Sequence, residues 1–174
     1  MITIHRITNA TDPYYNDAIA LYKGSFPSHE LREGKSQIEI LSNPLYHFDV
    51  IFDEGIFIGE ILYWEVGEFL YIEHFCISPE MRNKRYGQNV LKMYQDRPLI
   101  LEIDPPIDEI SIRRKGFYER CGFVENPYPH IHPPYHKANK GHDLVIMSSP
   151  EGLTKHQATL FQDFLRDVVM KNVY

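Results

Sequence analysis

A short basic segment between a predicted strand and a predicted helix has the composition of an anion-binding loop. It reads Arg82-Asn83-Lys84-Arg85-Tyr86-Gly87-Gln88 and combines three cationic side chains with a glycine. The first amides of a helix lack partners within the helix, and the helix dipole places about half a positive charge beside them. Glycine also lets a ligand approach the backbone closely. These features predict a site for a phosphate or pyrophosphate group.

A second motif, Phe117-Tyr118-Glu119-Arg120-Cys121-Gly122-Phe123, follows after one intervening strand. Together the two motifs resemble those of the GNAT superfamily of acyl-CoA-dependent N-acyltransferases. The first is similar to the family's R/Q-x-x-G-x-G/A pyrophosphate loop, and the second to its FYE-x-x-GF signature. Arg85 stands where the family pattern has its first glycine, and its side chain either crowds the loop or adds a phosphate contact.

The resemblance implies a binding site for an acyl-CoA thioester, with acetyl-CoA as the acyl donor and a small-molecule or peptide amine as the acceptor. In this family the fourth strand splays away from the fifth, and its exposed backbone amides pair with the pantetheine arm. Those amides correspond here to Phe75, Cys76 and Ile77. The resemblance assigns the pyrophosphate to the loop residues Arg82, Asn83, Lys84, Arg85, Tyr86, Gly87 and Gln88.

Tyr118 matches the family tyrosine that protonates the leaving thiolate. A phenol with a pKa of about 10 is protonated at neutral pH and is able to donate. Helical periodicity alone favours a core tyrosine at this position, so the catalytic role rests on the surrounding motif.

Glu73 is the candidate general base, because the family often has one near this place on the fourth strand. Strand alternation puts it on the face of Tyr71 and Phe75, which is otherwise apolar. It is therefore either a partly buried carboxylate with a raised pKa or part of a salt bridge. His74, which alternation puts on the opposite face, is the rival base.

The resemblance also places Glu30, Arg32 and Tyr135 beside the acceptor, although exposed helix charges are the simpler interpretation of Glu30 and Arg32. Tyr135 belongs to a loop rich in proline and histidine. The four histidines in or after this loop suggest a metal site as an alternative: His130, His132, His136 and His142. The prolines exclude a helix and no familiar metal-ligand spacing is present, so we assign no metal.

Composition limits the classes of partner and compartment. The formal net charge of −6 disfavours nucleic-acid binding and weakly favours a cationic substrate. No apolar run approaches the ~20 residues that span a bilayer, and residues 1–6 have a strand pattern rather than a signal-peptide pattern. Cys76 and Cys121 have no metal or redox spacing. We expect a cytoplasmic monomer or homodimer with reduced thiols and no membrane partner.

The apolar patterns predict the element order β-α-α-β-β-β-α-β-α-β-β over residues 1–149, which is the order of the GNAT fold. Three apolar runs separated by short turns predict an antiparallel meander, and residues 98–103 predict a central strand. The expected fold class is α/β (α+β), with a mixed, mostly antiparallel sheet flanked by helices. Helices are expected at 11–24, 30–41, 86–94 and 107–121, a loop at 126–141 and a strand at 142–148.

An additional amphipathic helix is predicted from Thr154 to Val173, in a segment (150–174) that lies outside the GNAT-like region. Thr154 and Gln157 form a possible capping box, and Leu160, Phe161, Phe164 and Leu165 begin an apolar stripe. The helix either packs on the same domain, which is the simpler interpretation, or forms a dimer contact.

The sequence thus predicts an acetyl-CoA-dependent N-acetyltransferase that transfers an acetyl group directly to a primary amine. A non-catalytic acyl-CoA-binding protein of the same fold is the alternative, and a metal-binding protein is a third. The identity of the acceptor does not follow from the fold.

Overall fold

The computed structural model describes all residues from 1 to 174. It contains nine strands and five α-helices. The strands are β1 (Ile2–Ile7), β2 (Tyr46–Asp53), β3 (Ile56–Val66), β4 (Phe69–Ile77), β5 (Leu99–Ile103), β6 (Val124–Glu125), β7 (Ile131–His132), β8 (His142–Asp143) and β9 (Val145–Ser149). The helices are α1 (Tyr15–Ser25), α2 (Gly34–Ile40), α3 (Tyr86–Met93), α4 (Glu109–Arg120) and α5 (Lys155–Phe164).

Seven strands form one sheet in the order β1-β2-β3-β4-β5-β9-β6, while β7 and β8 form a separate two-stranded sheet. Strands β1 to β4 pair antiparallel as the predicted meander. Within the large sheet, β4 and β5 are the parallel pair. The predicted mixed, mostly antiparallel sheet flanked by helices is therefore confirmed.

Helices cover both faces of the sheet, because alternate residues of the central strands are apolar in both directions. On one face, α1 and α5 pack against a core that includes Trp64, Tyr71 and Ile100. On the other face, α3 packs against a second core that includes Tyr63, Ile72 and Leu101. None of the five helices has the length and hydropathy that a bilayer-spanning segment needs.

The C-terminal segment is a helix with a change of winding. The predicted capping box is present, with the Thr154 hydroxyl accepting from the Gln157 amide and the Gln157 side chain accepting from the Thr154 amide. The prediction of one α-helix to Val173 was wrong: α5 ends at Phe164 and a π-helical segment follows, Leu165–Val169. After the end of α5, the Val169 carbonyl accepts a hydrogen bond from Arg32 and the Asn172 carbonyl accepts one from Ser36. Phe161, Leu165 and Val169 lie in the first core.

Other boundaries also differ from prediction. The expected helix over residues 30–41 is a 3-10 turn at Ser28–Glu30 followed by α2, and the chain between them is extended at Leu31. The expected loop at 126–141 contains β7, which pairs with β8. The expected single strand at 142–148 is divided into β8 and β9, which belong to different sheets. The first helix begins at Tyr15 rather than at Thr11, because the Asn9 and Asp12 side chains bond to backbone amides in the preceding turns.

Candidate active site

A cleft of about 880 Å³ opens where β4 and β5 diverge. The two strands pair only from Leu70–Ile72 to Leu99–Leu101, although β4 continues to Ile77 and β5 to Ile103. The cleft is lined by the separated strand ends, the first turn of α3, the middle of α4 and the β7–β8 region. The splay that the family resemblance implied is therefore present.

The free edge of β4 exposes the backbone of alternate residues only. The Ser78 amide donates to the Ile58 carbonyl of β3, and the Cys76 carbonyl lies against Gly59 of β3 so closely that no Cβ fits there. Alternation then directs the backbone of Phe75 and Ile77 into the cleft. Arg82 Nε donates to the Ile77 carbonyl at 3.1 Å, in agreement with that direction. The structure thus corrects the predicted set of three, because the Cys76 backbone faces β3.

The basic loop joins this edge to α3. Arg85 is the residue before the helix and has φ 63° and ψ 10°, the left-handed conformation that glycine adopts at least cost. A side chain is thus accommodated at the glycine position of the family pattern, with the backbone geometry retained. No side chain caps α3, so the amides of its first turn are free to bind an anion.

Most of the predicted loop residues line the cleft, with one exception. Arg82, Asn83, Arg85, Tyr86, Gly87 and Gln88 all do so. Lys84 does not, and its Nζ lies 3.5 Å from the Met81 sulfur. Gly87 has a packing role that the sequence did not reveal, since an added Cβ would lie 3.2 Å from the Phe117 ring.

Tyr118 lines the cleft from α4, with its ring against Phe117 and Phe123. Its hydroxyl has no hydrogen-bond partner within the protein. Burial raises the pKa of Tyr118 to about 12, and the Arg114 charge opposes this shift. The phenol is therefore protonated and free to donate to a ligand.

Glu73 lies at a β-bulge, which changes the direction of the residues around it. The β3–β4 register shifts so that Leu62 pairs with His74 and Tyr63 with Ile72. The prediction that Glu73 shares a face with Phe75, opposite His74, was wrong. Glu73 and His74 both contact Tyr135, whereas Phe75 packs on the second core. A bulge inserts one residue and so interrupts the two-residue alternation.

The Glu73 carboxylate is fully engaged within the protein. It accepts from Arg32 at 3.1 Å, from the Trp64 indole at 2.7 Å and from the Tyr135 hydroxyl at 2.9 Å. Burial by itself would raise the pKa of Glu73, but the charges of Arg32 and His74 and the hydrogen bonds from Trp64 and Tyr135 lower it. Of the two predicted alternatives the structure shows the salt bridge, and a carboxylate stabilised in this way is a poor proton acceptor.

Arg32 does not lie where the sequence prediction placed it. Its side chain is 1% exposed, it is absent from the cleft lining, and it also donates to the Val169 carbonyl at 2.9 Å. The extended chain after the 3-10 turn directs it into the core. Arg32 is thus a structural residue rather than part of the acceptor surface.

The end of the cleft beside the 3-10 turn is acidic. Glu30 lines it as predicted, together with Asp104 from the end of β5 and His142 from β8. Ligand-forming atoms of these three residues lie within 4.8 Å of one another. Tyr135 also lines the cleft with its ring, while its hydroxyl faces Glu73.

The four histidines of the C-terminal loop region do not form one cluster. His130 bonds to the buried Glu102, His132 Nδ1 to the Pro133 carbonyl, and His136 to the Ser28 carbonyl. His142 is the member that joins the acidic group at the cleft. The histidines thus serve mainly to fix the loop on β5 and on the 3-10 turn.

Comparison with known proteins agrees with this geometry. The family model described as "Acetyltransferase (GNAT) family" matches residues 4–123. This chain belongs to the GNAT acetyltransferase family. No significant match was found among curated proteins.

Solved structures share the GNAT fold over most of the chain. A protein from Bacteroides thetaiotaomicron, described as a GNAT-family acetyltransferase, has 30% identity and a TM-score of 0.89, covering 97% of this chain and 98% of that one. The ribosomal-protein-S18-alanine N-acetyltransferase of Escherichia coli has 16% identity and a TM-score of 0.54, covering 88% and 96%. A GNAT acetyltransferase from Elizabethkingia anophelis, solved with acetyl-CoA bound, has 16% identity and a TM-score of 0.53, covering 84% and 96%.

Sequence reasoning missed several residues of this GNAT cleft. His142 was considered only with the histidine group and Arg120 only as part of the second motif, while Asp104, Arg113 and Arg114 were assigned no role in the site. All five line the cleft. On α4 the seven-residue interval between Arg113 and Arg120 places those two side chains on the same helix face, and this spacing is the signal that could have found them. The proximity of Asp104 to Glu30 depends on the strand splay, for which the sequence carries no local signal.

Proposed function

We propose that this GNAT protein transfers an acetyl group from acetyl-CoA directly to a primary amine. The observation that carries the proposal is the unpaired Tyr118 hydroxyl in the same cleft as the free edge of β4. A strand edge supplies donors for a thioester carbonyl, and a protonated phenol supplies a proton for a leaving thiolate.

The residues present fit the donor. The Phe75 backbone and the Ile77 amide are available along the free edge for the pantetheine arm, while the Ile77 carbonyl already accepts from Arg82. The uncapped first turn of α3 suits a pyrophosphate. The guanidinium groups of Arg82 and Arg85 add charge beside these amides. A neighbour of the same fold was solved with acetyl-CoA bound, which supports this choice of donor.

Tyr118 acts in this proposal as the general acid. Its raised pKa keeps it protonated through the physiological range, and it lines the same cleft as the free end of β4, which supports this role. General acids of this kind contribute about 10²- to 10⁴-fold to rate. No side chain in the cleft combines the features of a covalent nucleophile, since burial strongly raises the pKa of the Cys76 thiol.

The experiment that tests the donor site is calorimetric titration of acetyl-CoA into the wild type and Arg82→Ala. We expect binding that weakens by about tenfold without the guanidinium, because charge-assisted hydrogen bonds contribute about 1.5–3 kcal/mol. Binding by the wild type without turnover of any primary amine would instead indicate the non-catalytic alternative. A folded wild type that fails to bind acetyl-CoA would contradict the proposal.

A further inference from the structure

The acidic end of the cleft holds one carboxylate that is both accessible and suited to take up a proton. Glu30, Asp104 and His142 come from three separate segments, the 3-10 turn, the end of β5 and β8. They converge within 4.8 Å at the mouth of the strand splay. The Glu30 side chain is 28% exposed, so an acceptor entering the cleft is able to contact it.

Other groups in this part of the cleft are already engaged or are buried. Glu73 is 2% exposed and accepts three hydrogen bonds. Asp104 forms an ion pair with Arg114 at 2.7 Å. His74 Nε2 bonds to the Glu30 carbonyl, while its Nδ1 is buried without a partner. Glu30 is the carboxylate whose nearest basic side chain, His29 at 3.7 Å, is itself largely exposed.

The surroundings of Glu30 favour proton uptake. Burial raises its pKa, and the charge of Asp104 raises it further. Positive groups that oppose this shift are His29 on the same turn, Arg114 on α4 and His132 on β7. His142 on β8 also faces the carboxylate. A base with a pKa closer to the working pH is the more effective proton acceptor.

We propose that Glu30, rather than Glu73, is the general base that deprotonates the ammonium group of the acceptor. This inference rests on the proposed acetyl transfer to an amine. Asp104 is paired with Arg114 and acts in this step through its electrostatic effect on Glu30.

The proton balance of the step is complete. The ammonium group transfers one proton to the Glu30 carboxylate and becomes a neutral amine, which attacks the thioester carbonyl carbon. Collapse breaks the carbon–sulfur bond, and the thiolate takes the Tyr118 proton. The nitrogen loses its second proton as the amide forms, and that proton restores the phenol. Glu30 returns its proton to solvent through the open cleft.

Two small acceptors of similar size test the assignment, methylamine and hydroxylamine. At neutral pH methylamine is almost entirely protonated, whereas hydroxylamine is largely neutral and needs no base before attack. With Glu30→Gln, we expect turnover of methylamine to fall by about 100-fold and turnover of hydroxylamine to change by less than about threefold. Glu33→Gln is the matched control, because Glu33 lies three residues away and outside the cleft lining; it should leave both rates unchanged.

Calorimetry with acetyl-CoA accompanies the kinetics, and unchanged affinity in Glu30→Gln shows that the donor site is intact. Retained methylamine turnover, or an equal loss with both acceptors, would overturn the assignment of Glu30. A wild type that binds acetyl-CoA but acetylates neither probe would overturn the proposed transfer itself, so the two failures are distinguishable.

The pH profile supplies a second readout. The rate constant kcat/KM for methylamine should rise with pH as Glu30 loses its proton. Asp104→Asn removes a charge that raises the Glu30 pKa, so the rising limb should move to lower pH. A rising limb at the same pH in Asp104→Asn and in the wild type would contradict the assignment of Glu30 as the base, because a purely structural role of Asp104 predicts no displacement of the profile.

Discussion

Glu73 and Arg32 form an ion pair of 3.1 Å with side chains only 2% and 1% exposed. The pair connects the β4 bulge to the segment after the 3-10 turn, and Arg32 extends the connection to the Val169 carbonyl at the C-terminus. The third donor to Glu73, Tyr135, lines the cleft. Through this network the C-terminal segment supports the wall of the active site.

Breaking the Arg32–Glu73 ion pair should destabilise the folded protein. We expect Glu73→Gln to lower the free energy of unfolding by about 3 kcal/mol or more, because it leaves a buried guanidinium without its counter-charge. Chemical denaturation measures this loss. The double variant Glu73→Gln/Arg32→Gln should lose less free energy of unfolding than the sum of the two single variants. Arg113→Gln is the control, because it breaks an exposed ion pair and should lower the free energy of unfolding by under about 1 kcal/mol. Additive losses would contradict the coupling.

Glu73 should also make the stability of the fold sensitive to acidic pH. The folded-state pKa of Glu73 lies below its ordinary value of 4.5, so its contribution to stability is present above that value and is lost as pH falls through the folded pKa. The wild type should therefore lose stability more steeply than Glu73→Gln below pH 4.5. Parallel denaturation curves at acidic pH would argue against the ion pair.

Tyr118→Phe should separate catalysis from donor binding. We expect kcat to fall by about 100-fold while acetyl-CoA affinity is retained, because only the proton donor is removed. Since the pKa of Tyr118 is raised to about 12, wild-type activity should show no descending limb at the ordinary phenol value of 10.0. Tyr128→Phe is the control, because that hydroxyl bonds to the Leu153 carbonyl away from the cleft. Loss of affinity in Tyr118→Phe would indicate a packing role instead.

Arg85→Gly should stabilise the fold and weaken donor binding. The left-handed backbone at φ 63° costs about 1–2 kcal/mol with a side chain and little with glycine, so the melting temperature should rise. Loss of one cation should reduce acetyl-CoA affinity about fivefold or more. Asn83→Gly, also at φ 63°, should give a smaller gain in stability because asparagine tolerates this conformation. Unchanged affinity in Arg85→Gly would show that the guanidinium does not contact the phosphates.

Glu60 should make the fold less stable as pH rises. The side chain is fully buried, one carboxyl oxygen lacks a partner, and burial raises its pKa well above the ordinary 4.5. An acid with a raised folded-state pKa contributes its stability below the unfolded value and loses it as pH rises towards the folded one. Glu60→Gln, an isostere of the protonated form, should match the wild type near pH 4.5 and become relatively more stable above it. Glu39→Gln on the surface should show no such trend.

Local signals in the sequence predicted much of the proposed donor site. The basic loop, its glycine and the strand before it specify an anion site from helix chemistry alone, and Tyr118 was recognised from its surrounding motif. The helix N-terminus and the cap at Thr154 are local features, which depend on residues a few positions apart. Predictions of these elements were therefore close to the observed ones.

Local sequence signals predicted the proposed acceptor site less well. The bulge at Glu73 interrupts the alternation that placed this residue with Phe75 and opposite His74, and bulges follow from register in the whole sheet. Arg32 was expected to be exposed because it was placed on a helix, whereas the extended chain after Glu30 turns it into the core. Neither result has a signature within a few residues of sequence.

The sequence by itself determined the fold class and identified the proposed phosphate-binding loop and the candidate catalytic tyrosine, because periodicity, capping and motif spacing act over short distances. Only the tertiary structure decided which carboxylates are free. Glu73 becomes committed through Arg32, Trp64 and Tyr135, while Glu30 meets Asp104 and His142 at the open end of the cleft. Burial and charge at these positions arise from segments distant in the chain, so their protonation behaviour follows from the assembled fold.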